Sequence, residues 1–261
     1  AQYTRIEMEF KKDQLAKELR GTNKSYILSI VRELICDMLN NRFSELAMKP
    51  EATFVAAGSY YGELVKEKDA FTAVYLTKQG QETQAYADLL LQLEGMRRYG
   101  FTNAELERVK KETIAAYEKS YNERNTMRNI AYVQEYINNY LSGEPIPGIE
   151  WEYTAIQQLL PAIDINLINQ YAHTFVTDSN LIISFQAPDD PNVTLPTEVE
   201  ALQMLAEVKN VEIEAPVEEA IEETVVAGDP TVSETPVAEE TPATDVAPIA
   251  PVEAVAEETP A

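Results

Sequence analysis

The residue types that carry most enzyme chemistry are scarce in this chain. Its one histidine, His173, sits inside the apolar run INQYAHTFV, and its one cysteine is Cys36. A catalytic zinc site takes three side-chain ligands and leaves one position open, which a single histidine without cysteine partners does not supply. Neither H-E-x-x-H nor the inverted H-x-x-E-H occurs, and there is no G-x-S-x-G, Walker A or G-x-G-x-x-G pattern. Several carboxylates lie close in sequence: Glu105 with Glu107, Glu118 with Glu123, and Asp189 with Asp190. Glu105 reads as a helix cap and the others as solvated helix faces and turns, so the residues nominate no catalytic group and no metal ligand. His173 reads as a helix-surface or boundary residue, and Cys36, off the centre of its helix's apolar stripe, as a quiet, half-buried thiol. What remains is aromatic. Tyr132, Tyr136, Tyr140, Trp151 and Tyr153 stand close together in sequence, and the helical spacing of the first three makes a packing seam their default role. The alternative is a wall that contacts peptide.

The elements that must position these residues can be read from periodicity. Arg5 to Phe10 alternates apolar and charged residues, the pattern of a half-buried strand. A long helix is expected from about Ser25 to Met48, stopped by Pro50. Thr53 to Tyr61 and Ala70 to Lys78 read as an antiparallel hairpin joined by a charged turn from Glu63 to Asp69. The strongest signal is the stretch from Gln81 to Tyr121. There Ala85, Leu89, Leu93 and Met96 mark one buried helical face, Gly100 ends that helix with a left-handed residue, and Thr102 with Glu105 forms a T-x-x-E capping box for the next. Both helices are expected over one sheet face.

Further helices are expected at Arg128 to Leu141, packed through Ile130, Val133, Ile137 and Tyr140; at Ile149 to Leu160; and from Asp164, as a cap, to about Val176. A strand follows at Leu181 to Ala187, then a last helix from Thr197 to Lys209 packed through Val199, Leu202 and Leu205. This order predicts an α+β fold, a two-layer sandwich with a mainly antiparallel sheet covered by helices on one face.

Charge divides the chain. Residues 211–261 hold 14 Asp and Glu and no Lys, Arg or aromatic residue, whereas residues 1–210 hold 30 acids and 21 bases. The segment is rich in Pro, Ala, Val, Thr and Glu, with EETPA at Glu239 to Ala243 and again at Glu257 to Ala261. Such a composition cannot bury enough apolar surface to offset its ordering entropy. Two units are therefore expected: a folded domain over 1–213 and an acidic, disordered linker or tail over 214–261. The acidic balance argues against nucleic acid, which needs clustered Lys and Arg. No apolar run approaches a membrane span and the N-terminus lacks a signal-peptide pattern; without an initiator Met it reads as a processed chain or an excised piece. No compartment is fixed by these features.

The run Arg97-Arg98-Tyr99-Gly100-Phe101-Thr102, with Glu105-Leu106 and Lys110 behind it, is similar to a hallmark of the inner, non-catalytic region of insulinase/pitrilysin-like zinc metallopeptidases. Met38-Leu39-Asn40-Asn41-Arg42-Phe43-Ser44-Glu45-Leu46, Tyr121-Asn122-Glu123-Arg124, Glu144 to Tyr153 and Asp178-Ser179-Asn180-Leu181 resemble further segments of the long, two-halved bacterial members, in the same order. The resemblance covers about residues 1–213. It implies a metal-free domain beside a catalytic one that holds zinc, within halves that close as a clamshell around peptides. The partners it implies are the catalytic domain of the same polypeptide, a second half or a homo-oligomeric copy, and peptide substrates. No catalytic residue and no cofactor is implied for this chain itself. A peptidase-like assembly scaffold is the alternative, and a binding module acting through the acidic tail stands behind it.

Overall fold

A computed structural model describes residues 3–126 and 128–218. Residues 219–261, most of the expected tail, lie outside the described residues. Among the described residues four strands form one antiparallel sheet: β1 (Arg5–Asp13), β2 (Phe54–Val65), β3 (Lys68–Thr77) and β4 (Leu181–Gln186), in the order β2-β3-β1-β4. The alternation in β1 fixes its register, because Ile6, Met8 and Phe10 must all face inward. Ile6 stands between Tyr75 and Phe185, and Phe10 between Phe71 and Leu181. The hairpin is tighter than its charged sequence predicts. Val65 pairs with Lys68, so Glu63 and Leu64 belong to β2, with a register shift between Glu63 and Val65, and the turn is only Lys66-Glu67.

Among the described residues seven α-helices accompany the sheet: α1 (Asn23–Ala47), α2 (Glu82–Tyr99), α3 (Asn103–Glu123), α4 (Asn129–Ser142), α5 (Ile149–Leu159), α6 (Ile165–Phe175) and α7 (Glu198–Glu207). The α+β prediction holds. Thr22 caps α1 by accepting from the Ser25 N–H at 3.2 Å, and Ile27, Ile30, Val31, Leu34, Ile35, Met38 and Leu39 are buried along the helix. The helix is pinned to β2 by Asn40, whose Oδ1 accepts from the Ser59 N–H at 2.6 Å and whose Nδ2 donates to the Ser59 carbonyl at 3.1 Å. Phe175 of α6 packs its ring 5.0 Å from Phe71, and Tyr86 of α2 packs 5.2 Å from Phe185. Each buried ring contributes about 1.5–3 kcal/mol of hydrophobic free energy.

The predicted placement of the central helices needs correction. Helix α2 contacts β3 and α6, but α3 docks on α1 and α5. Its buried positions, Leu106, Val109, Lys110 and Thr113, are confined to its first half. The last helix meets its prediction at Leu205 only. Val199 and Leu202 are exposed, at 74% and 53%, while Ala201, Met204, Leu205 and Val208 meet the core. Both sets have helical spacing, and Tyr86 decides between them by donating its hydroxyl to the Ala201 carbonyl at 3.2 Å.

Beyond α7 the chain is strapped back across α2. Arg98 donates to the carbonyls of Val208, Lys209 and Val211 at 3.1, 2.8 and 2.8 Å. Farther along, the Glu218 carboxylate accepts from the N–H groups of Asn103 and Ala104 at 3.2 and 3.1 Å, at the start of α3, where a helix favours negative charge.

Candidate functional site

Helix α4 is where the sequence and the structure part company over the aromatic residues. Gly143 at φ 72° ends it, donating its N–H to the Asn139 carbonyl at 2.9 Å. Its periodicity predicts a buried stripe, yet Ile130, Val133, Ile137 and Tyr140 are all exposed, Tyr140 at 87%. The packing-seam role is therefore not the one the structure assigns to these tyrosines. Instead Val133, Tyr136, Ile137, Tyr140 and Leu141 line a shallow depression of about 430 Å³. A water-facing surface rarely keeps so many contiguous apolar side chains without a use.

The five aromatic residues do not form one wall. Tyr136 and Tyr140 lie in the depression. Tyr132 donates its hydroxyl to the Arg124 carbonyl at 3.1 Å. Tyr153 of α5 stacks on Tyr121 of α3, with centroids 5.1 Å apart, and Trp151 turns inward to meet Tyr26 of α1 edge-on at 5.0 Å. Arg124 is the joint between these groups. Its guanidinium lies 4.1 Å from the Tyr121 ring centroid and its Nε stands 3.2 Å from Glu150 Oε1. Three of the five, then, share one helix, and two support the helices beside it.

Cys36 is more buried than its sequence position predicts, at 5% exposure, and desolvation with nearby Asp37 pushes its thiol up to about 12. Such a thiol stays protonated and is a poor nucleophile. His173 is exposed and its Nδ1 donates to the Arg97 carbonyl at 2.6 Å, which ties α6 to the end of α2. Glu105 closes the predicted capping box, with Thr102 Oγ1 accepting from its N–H at 3.2 Å and its carboxylate accepting from the Thr102 N–H at 2.7 Å. Among the described residues no group of His, Cys, Asp and Glu is arranged to hold a metal ion, and no helix is long and apolar enough to cross a membrane.

One grouping went unread in the sequence. Asp37 of α1 is half-buried and its carboxyl is raised by desolvation and by Glu112 of α3; Glu152 of α5 is raised by desolvation and by Glu135 of α4. Glu33 of α1, raised by desolvation and by Asp37 and Glu152, joins the two pairs, and the only sign of this in the sequence is that Glu33 and Asp37 are one helical turn apart. Nothing in a linear reading says that α3 and α5 bring further carboxylates to that side.

The fold defines a class: a four-stranded antiparallel sheet backed by helices, with no metal-binding group among the described residues. The comparisons give the particular likeness. The sequence matches no family model. Over 93 residues, 36% of this chain and 10% of the other, it is 29% identical to an Arabidopsis thaliana protein named zinc protease PQQL-like. The structure of the periplasmic protease PqqL from Escherichia coli superposes with a TM-score of 0.75 at 14% identity, covering 92% of this chain and 27% of PqqL. The inactive peptidase domain of a candidate zinc protease from Bordetella parapertussis superposes with a TM-score of 0.51 at 14% identity, covering 75% of this chain and 96% of that domain. The chain thus spans about a tenth and about a quarter of the two larger proteins. The chain shares its fold with these peptidase structures, the inactive peptidase domain among them.

Proposed function

We propose that this chain is the non-catalytic domain of an insulinase-like zinc metalloendopeptidase, forming part of the wall of its substrate chamber and contacting peptide through α4. Zinc-dependent hydrolysis then belongs to a neighbouring domain of the parent protein, where a zinc-bound water attacks the peptide carbonyl. One observation carries the reading: the match to an inactive peptidase domain extends over nearly all of that domain. The exposed tyrosines of α4 support the second half of it, since aromatic side chains bury large area at small entropic cost and suit peptides of varied sequence. In the clamshell arrangement a second half, or a second copy, closes the chamber opposite this domain.

The deciding experiment measures zinc content and peptide hydrolysis for residues 1–261 alone and for the full-length parent. The expected result is no zinc and no hydrolysis by the fragment, with one zinc and hydrolysis of unfolded peptides by the parent. A parent that is folded, zinc-free and inactive would replace this reading with that of a peptidase-like assembly scaffold. Stoichiometric zinc in the fragment would overturn both.

A further inference from the structure

On another part of the surface, the end of β1 and the start of α1 enclose a cleft of about 970 Å³. Five of the residues lining it are basic, Lys11, Lys12, Lys24, Arg32 and Lys68, against one acid, Asp13. That is a marked concentration in a chain with 21 bases and a net charge of −23. Internal pairing offsets part of it, and Lys24 too has a partner. Lys68 pairs with Asp13, and Arg32 lies 3.8 Å from Asp69 and 4.1 Å from the Tyr61 ring centroid. Lys12 Nζ donates to the Thr174 carbonyl at 2.5 Å, and desolvation lowers its pKa, as expected of an ammonium held away from water without a carboxylate partner among the described residues. The first turn of α1 also lines the cleft through Thr22 and Ser25, adding the positive end of a helix dipole.

We propose that the acidic segment 219–261 of this same chain docks in the cleft. It carries 11 Asp and Glu and no Lys or Arg, so its charge is complementary. Its starting point is fixed, because Glu218 is held at the beginning of α3. That point lies beside Arg42, which donates to the Gly100 carbonyl and to Glu105. From Arg42 back to Thr22 at the cleft is about 30 Å along α1, at 1.5 Å per residue. A tether of roughly 43 residues reaches at most about 140 Å, several times that distance. The tether therefore spans the distance, and docking within one chain gains an effective concentration of about a millimolar. The docked segment shields the cleft from acidic peptides of other molecules. This inference is independent of the peptidase reading.

The test is zero-length carbodiimide cross-linking of the intact 1–261 chain in low salt, mapped by mass spectrometry on an equal mixture of isotopically light and heavy protein. The expected result is links within one chain that favour Lys11, Lys12, Lys24 and Lys68 by about fivefold or more over Lys49, Lys111 and Lys119, and that fade in 0.5 M salt. An undocked segment would give the opposite bias, because Lys49 just beyond α1 and Lys111 near the middle of α3 lie nearer its tether. Lys11→Glu combined with Lys24→Glu should move the links off the cleft with the circular dichroism spectrum unchanged; Lys11→Glu alone serves if the double variant does not fold. Links spread evenly over the exposed lysines, links joining light to heavy chains, or links indifferent to salt would each overturn the proposal.

Discussion

Arg42 of α1 and Glu105 of α3 form a two-pronged ion pair, with Nε 2.5 Å from Oε1 and Nη2 2.9 Å from Oε2, and both side chains only 16% exposed. The same Nη2 donates to the Gly100 carbonyl at 2.9 Å, and the guanidinium lies 4.4 Å from the Phe101 ring centroid. One arginine thus locks the turn between α2 and α3 onto the longest helix. Arg42→Ala leaves a mostly buried carboxylate without its partner and should cost about 1–3 kcal/mol in chemical denaturation. Burial pushes the Glu105 carboxyl up, but Arg42 and the Thr102 bonds outweigh it and hold the pKa below its ordinary 4.5. Its contribution is therefore present above pH 4.5 and lost as pH falls through the lower folded value. A Glu105→Gln variant should be less stable than the wild type at neutral pH and lose less on acidification, read as thermal midpoints from pH 7 to pH 3.

Gly100 is the second fixed point of that turn. It adopts φ 64° and a Cβ there would lie 2.2 Å from Asn169 Oδ1. Asn169 cannot readily yield, because it accepts from the Phe101 N–H at 2.8 Å and donates to the Phe101 carbonyl at 3.0 Å. Gly100→Ala combines an unfavourable backbone region with the loss of these two bonds and should destabilise by about 2–4 kcal/mol. A shift in the urea midpoint at unchanged slope measures it.

The turn held by these residues was legible in sequence because its signals are local: a glycine, then T-x-x-E, then apolar residues at helical spacing. The same holds for β1, whose alternation states which face is buried. Long-range partners were not legible. The phase of α7 depends on the Tyr86 hydroxyl finding the Ala201 carbonyl, a contact that periodicity cannot express, so Val199 and Leu202 looked as good as Ala201 and Met204. For α4 the failure is of another kind. Its apolar spacing is real, but spacing cannot say whether the partner of an apolar face lies within the same domain. Trp151 and Tyr153, adjacent in sequence to that helix, went instead to Tyr26 and Tyr121.

The half-buried Asp37 gives a prediction of opposite sign to Glu105. Desolvation and Glu112 raise its carboxyl above the ordinary 3.8, so the folded state holds its proton more tightly than the unfolded state does. Its favourable contribution is complete below pH 3.8 and disappears as pH rises through the raised value. Asp37→Asn removes the charge but keeps the shape. The variant should be more stable than the wild type at pH 7, and the difference should shrink as the pH is lowered toward 4. Thermal melts across that range check it; a variant less stable than wild type at pH 7 would show that Asp37 is compensated by a partner cation.

Tyr136 and Tyr140 separate stability from function. Both are exposed, Tyr136 at 63%, so trimming them removes little that the folded domain has gained by burial. Tyr136→Ala with Tyr140→Ala should change stability by no more than about 0.5 kcal/mol, as surface substitutions generally do. If the depression on α4 receives peptide, the same double variant in the full-length parent should raise KM for an unfolded peptide by about fivefold or more with kcat little changed, since buried aromatic anchors carry a disproportionate share of binding energy. A fall in kcat at constant KM would point away from peptide contact, toward a role for α4 in seating the neighbouring domain, because an interaction that serves only to assemble the catalytic site has no reason to favour bound substrate.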